Sequence, residues 1–243
     1  MLIDDYAVIL EDTIEKIRKT QREKIVQAAE IVKNVIKNDG LIYVFGCGHS
    51  HMLAEETFYR AGGLACVAPI FWEPLMLHES AYLSSRLEKA DEYYEVLLHT
   101  VKISTQDMLF CISSSGVNSV PVEFAAAVRK REIPVVGVSS DAYLTQEAYN
   151  PLGKHLQEVC DICIDNSVPH GDACLQPDGL PVKMTPVSTV ASVFILNSIL
   201  AEGTQLAVKE GFDVPVYMSG NIPGGAEYNK ALIERYKDRI QNL

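Results

Sequence analysis

The fold of this chain is indicated first by the stretch Met108-Leu109-Phe110-Cys111-Ile112-Ser113-Ser114-Ser115-Gly116-Val117-Asn118. Its first five residues are all apolar, as in a strand that is buried on both faces of a parallel sheet. Three hydroxyls and a glycine follow at once, and residues 118–131 then have the spacing of an amphipathic helix. A strand, a polar turn and a helix in this order predict one unit of an α/β fold.

Apolar runs of the same kind occur on both sides of this stretch, and segments with helical spacing separate them. Such alternation predicts an α/β fold with three αβα layers around a five-stranded parallel sheet. Ligands bind such sheets at the carboxyl ends of the strands, so the loops that follow the runs are the ones to examine. The other four predicted strands cover residues 41–45, 64–68, 134–138 and 159–164.

A length of 243 residues suits a single domain. We predict one domain over residues 1–243, with an N-terminal helical extension over about 1–38 and an insertion at about 70–100. The insertion is predicted to contain a charged helix from Ser85 to His99. Residues 166–186 are rich in Pro, Gly and Asp and predict a long loop, which in a compact domain is usually functional.

The N-terminal extension carries apolar residues close to a 3.6-residue repeat over residues 3–37, with charges between them. Asp39-Gly40 ends the pattern, since glycine is favoured just past a helix. This apolar stripe is longer than one sheet edge can cover. An apolar surface of that size, left exposed on a monomer, would favour aggregation. We therefore predict a homodimer or homotetramer with this segment in the interface.

Composition and charge narrow the class of protein. The chain has 32 acidic and 21 basic residues, a net charge of −11, which disfavours general nucleic-acid binding. Its six cysteines are spread along the sequence and indicate buried thiols in a reducing compartment. The N-terminus lacks the pattern of a signal peptide, and the uncharged stretch 184–201 carries enough polar residues to suit a buried helix better than a membrane span. These features predict a cytoplasmic protein with no membrane partner.

A glycine turn follows the first predicted strand, with the sequence Gly46-Cys47-Gly48-His49-Ser50. Its glycines allow close approach of the backbone to a ligand, and the helix that follows presents N–H groups to an anion. A dinucleotide fold would need a third glycine where this chain has His51, so the nicotinamide interpretation is weak. The alternative is a tight strand–helix turn without a ligand. The candidate substrate-binding residues here are Gly46, Gly48 and Ser50.

The serine loop, residues 113–118, follows the central predicted strand. Hydroxyls and converging backbone N–H groups suit an anion, but the loop has no lysine, so it is not the P-loop of nucleoside triphosphatases. A monophosphate ester fits better. The alternative is plain helix capping, which needs one serine rather than three. The candidate phosphate-binding residues are Ser113, Ser114, Ser115, Gly116 and Asn118.

Together the glycine turn and the serine loop resemble those of the sugar isomerase (SIS) domain family, over about residues 25–210. The resemblance implies a flavodoxin-like parallel sheet that binds a phosphosugar, with the serine loop holding the phosphate. That loop usually ends in Ser or Thr in the family, where this chain has Asn118. The chain is most similar to the phosphoheptose isomerase branch and less so to the muramic-acid-phosphate etherase branch. Both branches act as oligomers with sites at or near subunit boundaries.

Acid/base candidates follow the glycine turn. Phosphoheptose isomerases carry a His and a Glu one turn apart on this helix, but the matching places here hold Glu56 and Arg60, so the metal ligands of that family do not transfer. His51 and Glu55 lie four residues apart, on one helical face, and could hold a divalent metal or shuttle a proton. A surface ion pair is the alternative. The candidates are His49, His51, Glu55 and Glu56.

Two more candidates lie in other loops. His170 follows the fifth predicted strand among small and rigid residues, and Glu73 lies between Trp72 and Pro74, where an aromatic neighbour can raise a carboxyl pKa. A solvated loop or surface position is the alternative for each. Cys160 and Cys163 are interpreted as core residues rather than a zinc or redox pair, because residues three apart in a strand point to opposite faces.

These residues predict a phosphosugar-binding protein. The leading hypothesis is an aldose–ketose isomerase acting on a phosphorylated sugar or amino sugar, with no certain cofactor. One alternative is a non-catalytic phosphosugar sensor, although the first 40 residues show no basic recognition helix. Another is a lyase or etherase acting on an amino-sugar phosphate with a carboxylate base.

Overall fold

In the computed structural model, which describes residues 1–243, five strands form one parallel sheet. Their order across the sheet, by position in the chain, is second, first, third, fourth, fifth. The predicted five-stranded parallel α/β fold is therefore confirmed. The strands are β1 (Ile42–Gly46), β2 (Val67–Pro69), β3 (Met108–Ile112), β4 (Val135–Ser139) and β5 (Ile162–Asp165).

Helices cover both faces of the sheet. Right-handed crossovers leave β1 and β3 in opposite directions across the sheet, so the helices after these two strands lie on opposite faces. The face covered after β1 also carries the second and the eighth helix, which pack against each other. The helices are α1 (Leu2–Thr20), α2 (Arg22–Lys37), α3 (Met52–Thr57), α4 (Leu77–Leu87), α5 (Tyr94–Thr100), α6 (Ser119–Arg129), α7 (Leu156–Val159), α8 (Ser188–Lys209) and α9 (Gly225–Tyr236).

Two helices form the N-terminal extension, α1 and α2. They meet at Gln21, whose buried side chain accepts a hydrogen bond from the amide of Asp165 at the end of β5. In α1 only Ile17 is buried, whereas Ile3 and Val8 are exposed. The second helix, α2, is the one that packs into the core, against α8.

The predicted charged helix from Ser85 to His99 is wrong. Residues 88–93 separate α4 from α5, and they leave the helical path because they bond to the start of α6. The Ser119 hydroxyl donates to Asp91 Oδ1 at 2.7 Å, and the Glu92 amide donates to Glu123 Oε2 at 3.3 Å. Tertiary hydrogen bonds thus outweigh the local helical pattern in this segment.

The long loop over 166–186 also contains regular structure, an antiparallel pair of strands, β6 (Ala173–Leu175) and β7 (Met184–Pro186). Helix α8 follows this loop directly. It is long and apolar enough to cross a bilayer by length and composition, but it packs against α2 and α3 within the fold.

Cys160 and Cys163 do not point to opposite faces, as the strand interpretation required. The chain bends at Cys160, two residues before β5 begins. As a result both sulfurs lie over Gly137, where an added Cβ would be 2.7 Å from one and 2.9 Å from the other. Cys160 is buried, in agreement with its assignment to the core.

Candidate functional site

The glycine turn brings His49 and Ser50 to the carboxyl edge of the sheet. Gly48 has a φ of +55°, a left-handed conformation that favours glycine. An added Cβ at Gly46 would lie 2.6 Å from the carbonyl oxygen of Ser50. Because Gly46 pairs with Ile112, the turn lies beside the serine loop.

The serine loop is held from behind by the neighbouring strand and helix. Ser140 donates its amide to the Ser114 carbonyl at 2.9 Å, and the Leu156 amide donates to the Gly116 carbonyl at 2.9 Å. Gly116 has a φ of +63°, and a Cβ there would lie 2.5 Å from Ser139 Oγ. Any other residue would be strained by the left-handed backbone and would require the Ser139 side chain to move.

Several donors of the serine loop have no acceptor within the protein. The amides of Ser114, Ser115 and Val117 donate to no protein group, and the Ser115 hydroxyl has no protein partner. Helix α6 starts immediately afterwards, and its N-terminal dipole adds to the attraction for an anion. Asn118 precedes that helix without capping it through its side chain. Plain helix capping therefore does not explain the loop, and its free donors suit an anion.

The other wall of the cleft is the first turn of α8. A half-open pocket at this wall has a volume of about 20 Å³. It is lined from the sheet side by His49, Ser50 and Ser114 among others, and from α8 by Ser188, Thr189 and Ser192. Hydroxyl groups therefore dominate the polar lining, and no lysine or arginine contributes to it.

Asn166 connects the two walls of this cleft. Its side chain is fully buried, and its Nδ2 lies 3.3 Å from Ser114 Oγ and 3.4 Å from Ser192 Oγ. Asp172 fixes the start of α8, because its Oδ1 accepts the amides of Val187 and Ser188, both at 2.9 Å. The long loop after β5 therefore supports the cleft through Asn166 and Asp172.

His170 and Glu73 lie outside the residues that line this cleft. The His170 ring is exposed and stacks on Tyr143 with a centroid distance of 4.6 Å, and its Nε2 lies 3.3 Å from Gln146 Oε1. Glu73 is exposed at the start of a short 3-10 turn over Glu73–Leu75. Of the candidates outside the serine loop, the structure therefore brings His49 and Ser50 into the cleft with Ser114.

His51, Glu55 and Glu56 make contacts within the turn and helix that follow β1. Buried His51 directs Nδ1 to the Gly48 carbonyl and Nε2 to Glu55 Oε1, which is 3.2 Å away. The Glu56 carboxylate pairs with Arg60. His51 and Glu55 would supply two metal ligands, and no third His, Cys, Asp or Glu joins them in a cluster. Because a zinc site uses at least three protein ligands, these residues do not fit one.

Glu88 is a candidate carboxylate that the sequence patterns did not indicate. Its Oε1 accepts a hydrogen bond from Asn118 Nδ2 at 2.8 Å, and its carbonyl accepts the Val120 amide at 3.0 Å. Glu88 also lies near Cys47 in the glycine turn. Burial raises the pKa of the Cys47 thiol, and the negative charge of Glu88 raises it further. Burial also raises the pKa of Glu88 itself, although nearby Lys89 lowers it. A partly desolvated carboxyl therefore lies between the glycine turn and the end of the serine loop, although, like His170 and Glu73, it is not among the residues that line the pocket beside α8.

The fold and these two loops define an SIS-type α/β domain. The model of the SIS domain family matches residues 5–140, and the chain belongs to this family. Within it the chain is a member of the UPF0309 group. It is 40% identical to the UPF0309 protein of Geobacillus sp. strain WCH70, over 100% of this chain and 98% of the relative. It is 41% identical to the UPF0309 protein of Caldanaerobacter subterraneus subsp. tengcongensis, over 100% of both chains.

Solved structures share the fold at low sequence identity. The phosphoheptose isomerase GmhA from Neisseria gonorrhoeae matches with a TM-score of 0.52 and 18% identity, over 84% of this chain and 100% of that chain. Escherichia coli CFT073 c3406 matches with a TM-score of 0.51 and 12% identity, over 87% and 91%. The Vibrio vulnificus NanR protein complexed with ManNAc-6P matches with a TM-score of 0.50 and 16% identity, over 100% and 70%. At such identities the likeness concerns the fold alone.

Proposed function

We propose that this protein binds the phosphate of a sugar phosphate on the serine loop and interconverts the aldose and ketose forms of that sugar. The observation that carries the proposal is the set of unpaired donors at Ser114, Ser115 and Val117, with a partly buried carboxyl at Glu88 beside the same loop. The solved phosphoheptose isomerase GmhA shares this fold, and its name is the source of the reaction class proposed here.

Aldose–ketose interconversion moves one proton between C1 and C2 and another between their oxygens. A base removes the proton from C2 of the aldose, an enediol forms, and the proton returns at C1. We assign the transfer of the carbon-bound proton to Glu88. Burial raises the pKa of its carboxyl, and a carboxylate with a raised pKa is a stronger base. His49, exposed at the rim of the cleft, is assigned to the oxygens, since one imidazole nitrogen can donate a proton while the other accepts one.

A lyase or etherase acting on an amino-sugar phosphate is the second candidate. A partly buried carboxyl beside a phosphate loop suits the removal of a proton next to a carbonyl in an elimination as well as in an isomerisation. Glu88 and the serine loop would then keep the same roles, and only the fate of the enolate would differ.

A panel of sugar phosphates and their dephosphorylated sugars, followed by proton NMR in D₂O, tests the proposal. An isomerase converts aldose to ketose and introduces solvent deuterium at the exchanged carbon, whereas a lyase releases a new product. Binding of a sugar phosphate without any turnover would identify a sensor. Equal binding of phosphorylated and dephosphorylated sugars would refute the phosphate anchor.

We further propose that the site is completed in a cytoplasmic homodimer or homotetramer. The half-open pocket of about 20 Å³ is smaller than a sugar phosphate, so the sugar would extend past His49 towards solvent or a second subunit. Helix α1 offers an interface, since Leu2, Ile3 and Val8 are exposed along it. The six free cysteines suit the reducing cytoplasm.

Light scattering at micromolar concentration is expected to give two or four times the chain mass of 26.8 kDa. Replacement of Ile3 and Val8 by glutamate is expected to lower that mass, because two charges would enter the apolar interface. The matched control is glutamate in place of Val96, which is exposed on α5 away from α1. A 26.8 kDa species for the unmodified chain would contradict the prediction.

A further inference from the structure

Asn166 fixes the direction of hydroxyl groups on both walls of the cleft. Its Oδ1 lies 3.3 Å from the backbone amide of Val168, which can only donate, so this end of the side chain is the acceptor. The opposite end, Nδ2, can only donate, and it lies 3.3 Å from Ser114 Oγ and 3.4 Å from Ser192 Oγ. The two hydrogens of this nitrogen therefore go one to each serine oxygen.

This arrangement leaves the hydroxyl hydrogens of Ser114 and Ser192 free. A hydroxyl that accepts a hydrogen bond keeps its own hydrogen for another partner. Neither hydroxyl donates to a protein group, whereas Ser188, on the same wall as Ser192, donates to Asp172 Oδ2 at 2.6 Å. Ser192 is buried, and it lines the same pocket as Ser114. A buried donor of this kind needs an acceptor that the protein does not supply.

Both serine oxygens can reach a single phosphate group. They lie within hydrogen-bond distance of the same nitrogen of Asn166, so they are close together across the pocket. The free amides of Ser115 and Val117 belong to the same loop as Ser114. Donors thus come from two walls, and a phosphate monoester offers them three strong acceptor oxygens, whereas a diester offers two. The donor set therefore suits a monoester better than a diester.

We propose that Ser192 of α8 binds the phosphate together with the serine loop, and that Asn166 is the positioning residue that turns the hydroxyls of Ser192 and Ser114 towards it. The ligand is then a phosphate monoester in its doubly ionised form, because the terminal oxygens of that form only accept hydrogen bonds. This inference rests on the phosphate anchor proposed above and adds to it a binding residue from the opposite wall of the cleft.

Methyl phosphate tests this site without knowledge of the sugar. Its affinity, measured by a titration followed by phosphorus NMR, is expected to fall about tenfold or more in Ser192→Ala, because one hydrogen bond to a charged group is lost. The matched control is Ser198→Ala on the same helix, since that hydroxyl donates to the Phe194 carbonyl at 2.6 Å and does not line the pocket. Unchanged affinity in S192A, or an equal fall in both variants, would overturn the proposal.

Asn166→Asp tests the positioning role. The substitution keeps the oxygen that accepts from Val168 but replaces the donor by a carboxylate oxygen, to which the serine hydroxyls would donate instead of to the ligand. Affinity for methyl phosphate is expected to fall further than in S192A. Asn197→Asp makes the same change of charge at an exposed position of α8 outside the pocket and should bind as the unmodified protein does. Unchanged affinity in N166D, or an equal fall in N197D, would overturn the role of Asn166.

Dimethyl phosphate separates a contact with the ligand from a general loss of structure. The unmodified protein is expected to prefer methyl phosphate by at least about tenfold, and N166D is expected to lose most of that preference, whereas a merely structural defect would lower both affinities alike. Equal affinity of the unmodified protein for the two esters would overturn the assignment of a monoester.

Ser115→Ala distinguishes a failure of this inference from a failure of the phosphate anchor. If S115A weakens the binding of methyl phosphate and S192A does not, the anchor stands and Ser192 takes no part in it. If the unmodified protein does not bind methyl phosphate, or S115A binds it equally well, the anchor fails and this inference fails with it. The Tm of each variant is measured, and S192A, which leaves Asn166 in place, decides the proposal even if N166D does not fold.

Discussion

Replacement of Glu88 by glutamine is expected to lower kcat by about 10² to 10⁴ while KM changes little, the range that general acid/base catalysis supplies. Glutamine keeps the size of the side chain and an oxygen that accepts from Asn118, but it cannot take up a proton at that oxygen. Stopped assays on the substrate found in the NMR panel would measure both constants.

Glu123 provides the matched control for this variant. Its side chain is buried, and burial raises its pKa as it does for the partly buried Glu88, but it accepts from the Glu92 amide rather than from the end of the serine loop. We expect E123Q to keep kcat within a fewfold of the unmodified enzyme. A loss of similar size in both variants would attribute the effect to buried charge in general and would remove Glu88 from its assigned role.

The pH dependence follows from the direction of the Glu88 shift. Burial raises its pKa above the ordinary value of 4.5, and the base must be ionised to accept a proton. The plot of kcat/KM against pH is therefore expected to fall as pH is lowered through a midpoint above 4.5, and E88Q is expected to lose this acidic limb. An acidic limb that persists in E88Q would place the titrating group elsewhere.

Removal of the hydroxyls of Ser113 and Ser115 together is expected to weaken sugar-phosphate binding by at least tenfold. Each hydrogen bond to a charged group contributes about 1.5–3 kcal/mol, which corresponds to about tenfold or more in affinity. Affinity for the dephosphorylated sugar should stay the same. Titration calorimetry with the two ligands would separate the effects, and equal affinity for both would refute the anchor.

The single variants sharpen this test. Ser113 Oγ accepts the Gly116 amide at 3.2 Å, so its removal also loosens the loop, whereas the Ser115 hydroxyl has no protein partner. Ser115→Ala therefore reports on the ligand alone, and its Tm is expected to stay unchanged. Ser85→Ala, on the exposed surface of α4, is the matched control and should leave affinity unaltered.

Local sequence predicts a strand well where a run of apolar residues is enough to define it. The predicted strand over 108–112 agrees with β3, because five consecutive apolar residues are buried on both faces at the centre of the sheet. The edge strand is displaced, from a predicted 64–68 to Val67–Pro69. There Leu64 and Ala65 bond instead to residues 215–216, a pairing with a segment about 150 residues away.

The sequence by itself determined the α/β class, the parallel sheet, and the two loops at its carboxyl edge. These features depend on short-range properties: runs of apolar residues, the spacing of helices, and glycines such as Gly116 where the backbone is left-handed. The hypothesis that the serine loop binds an anion could also be formed from sequence, because its hydroxyls and amides belong to consecutive residues.

Only the tertiary structure showed which carboxyl group and which residues of other segments lie beside the glycine turn and the serine loop. Glu88 reaches Asn118 because residues 88–93 leave the helical path to bond with α6, and no local pattern encodes such a contact between distant segments. For the same reason Asn166 and the hydroxyls of α8 enter the cleft, while His170 turns to Tyr143. The contacts of a loop side chain depend on which distant segments pack beside it, and the whole fold determines that packing.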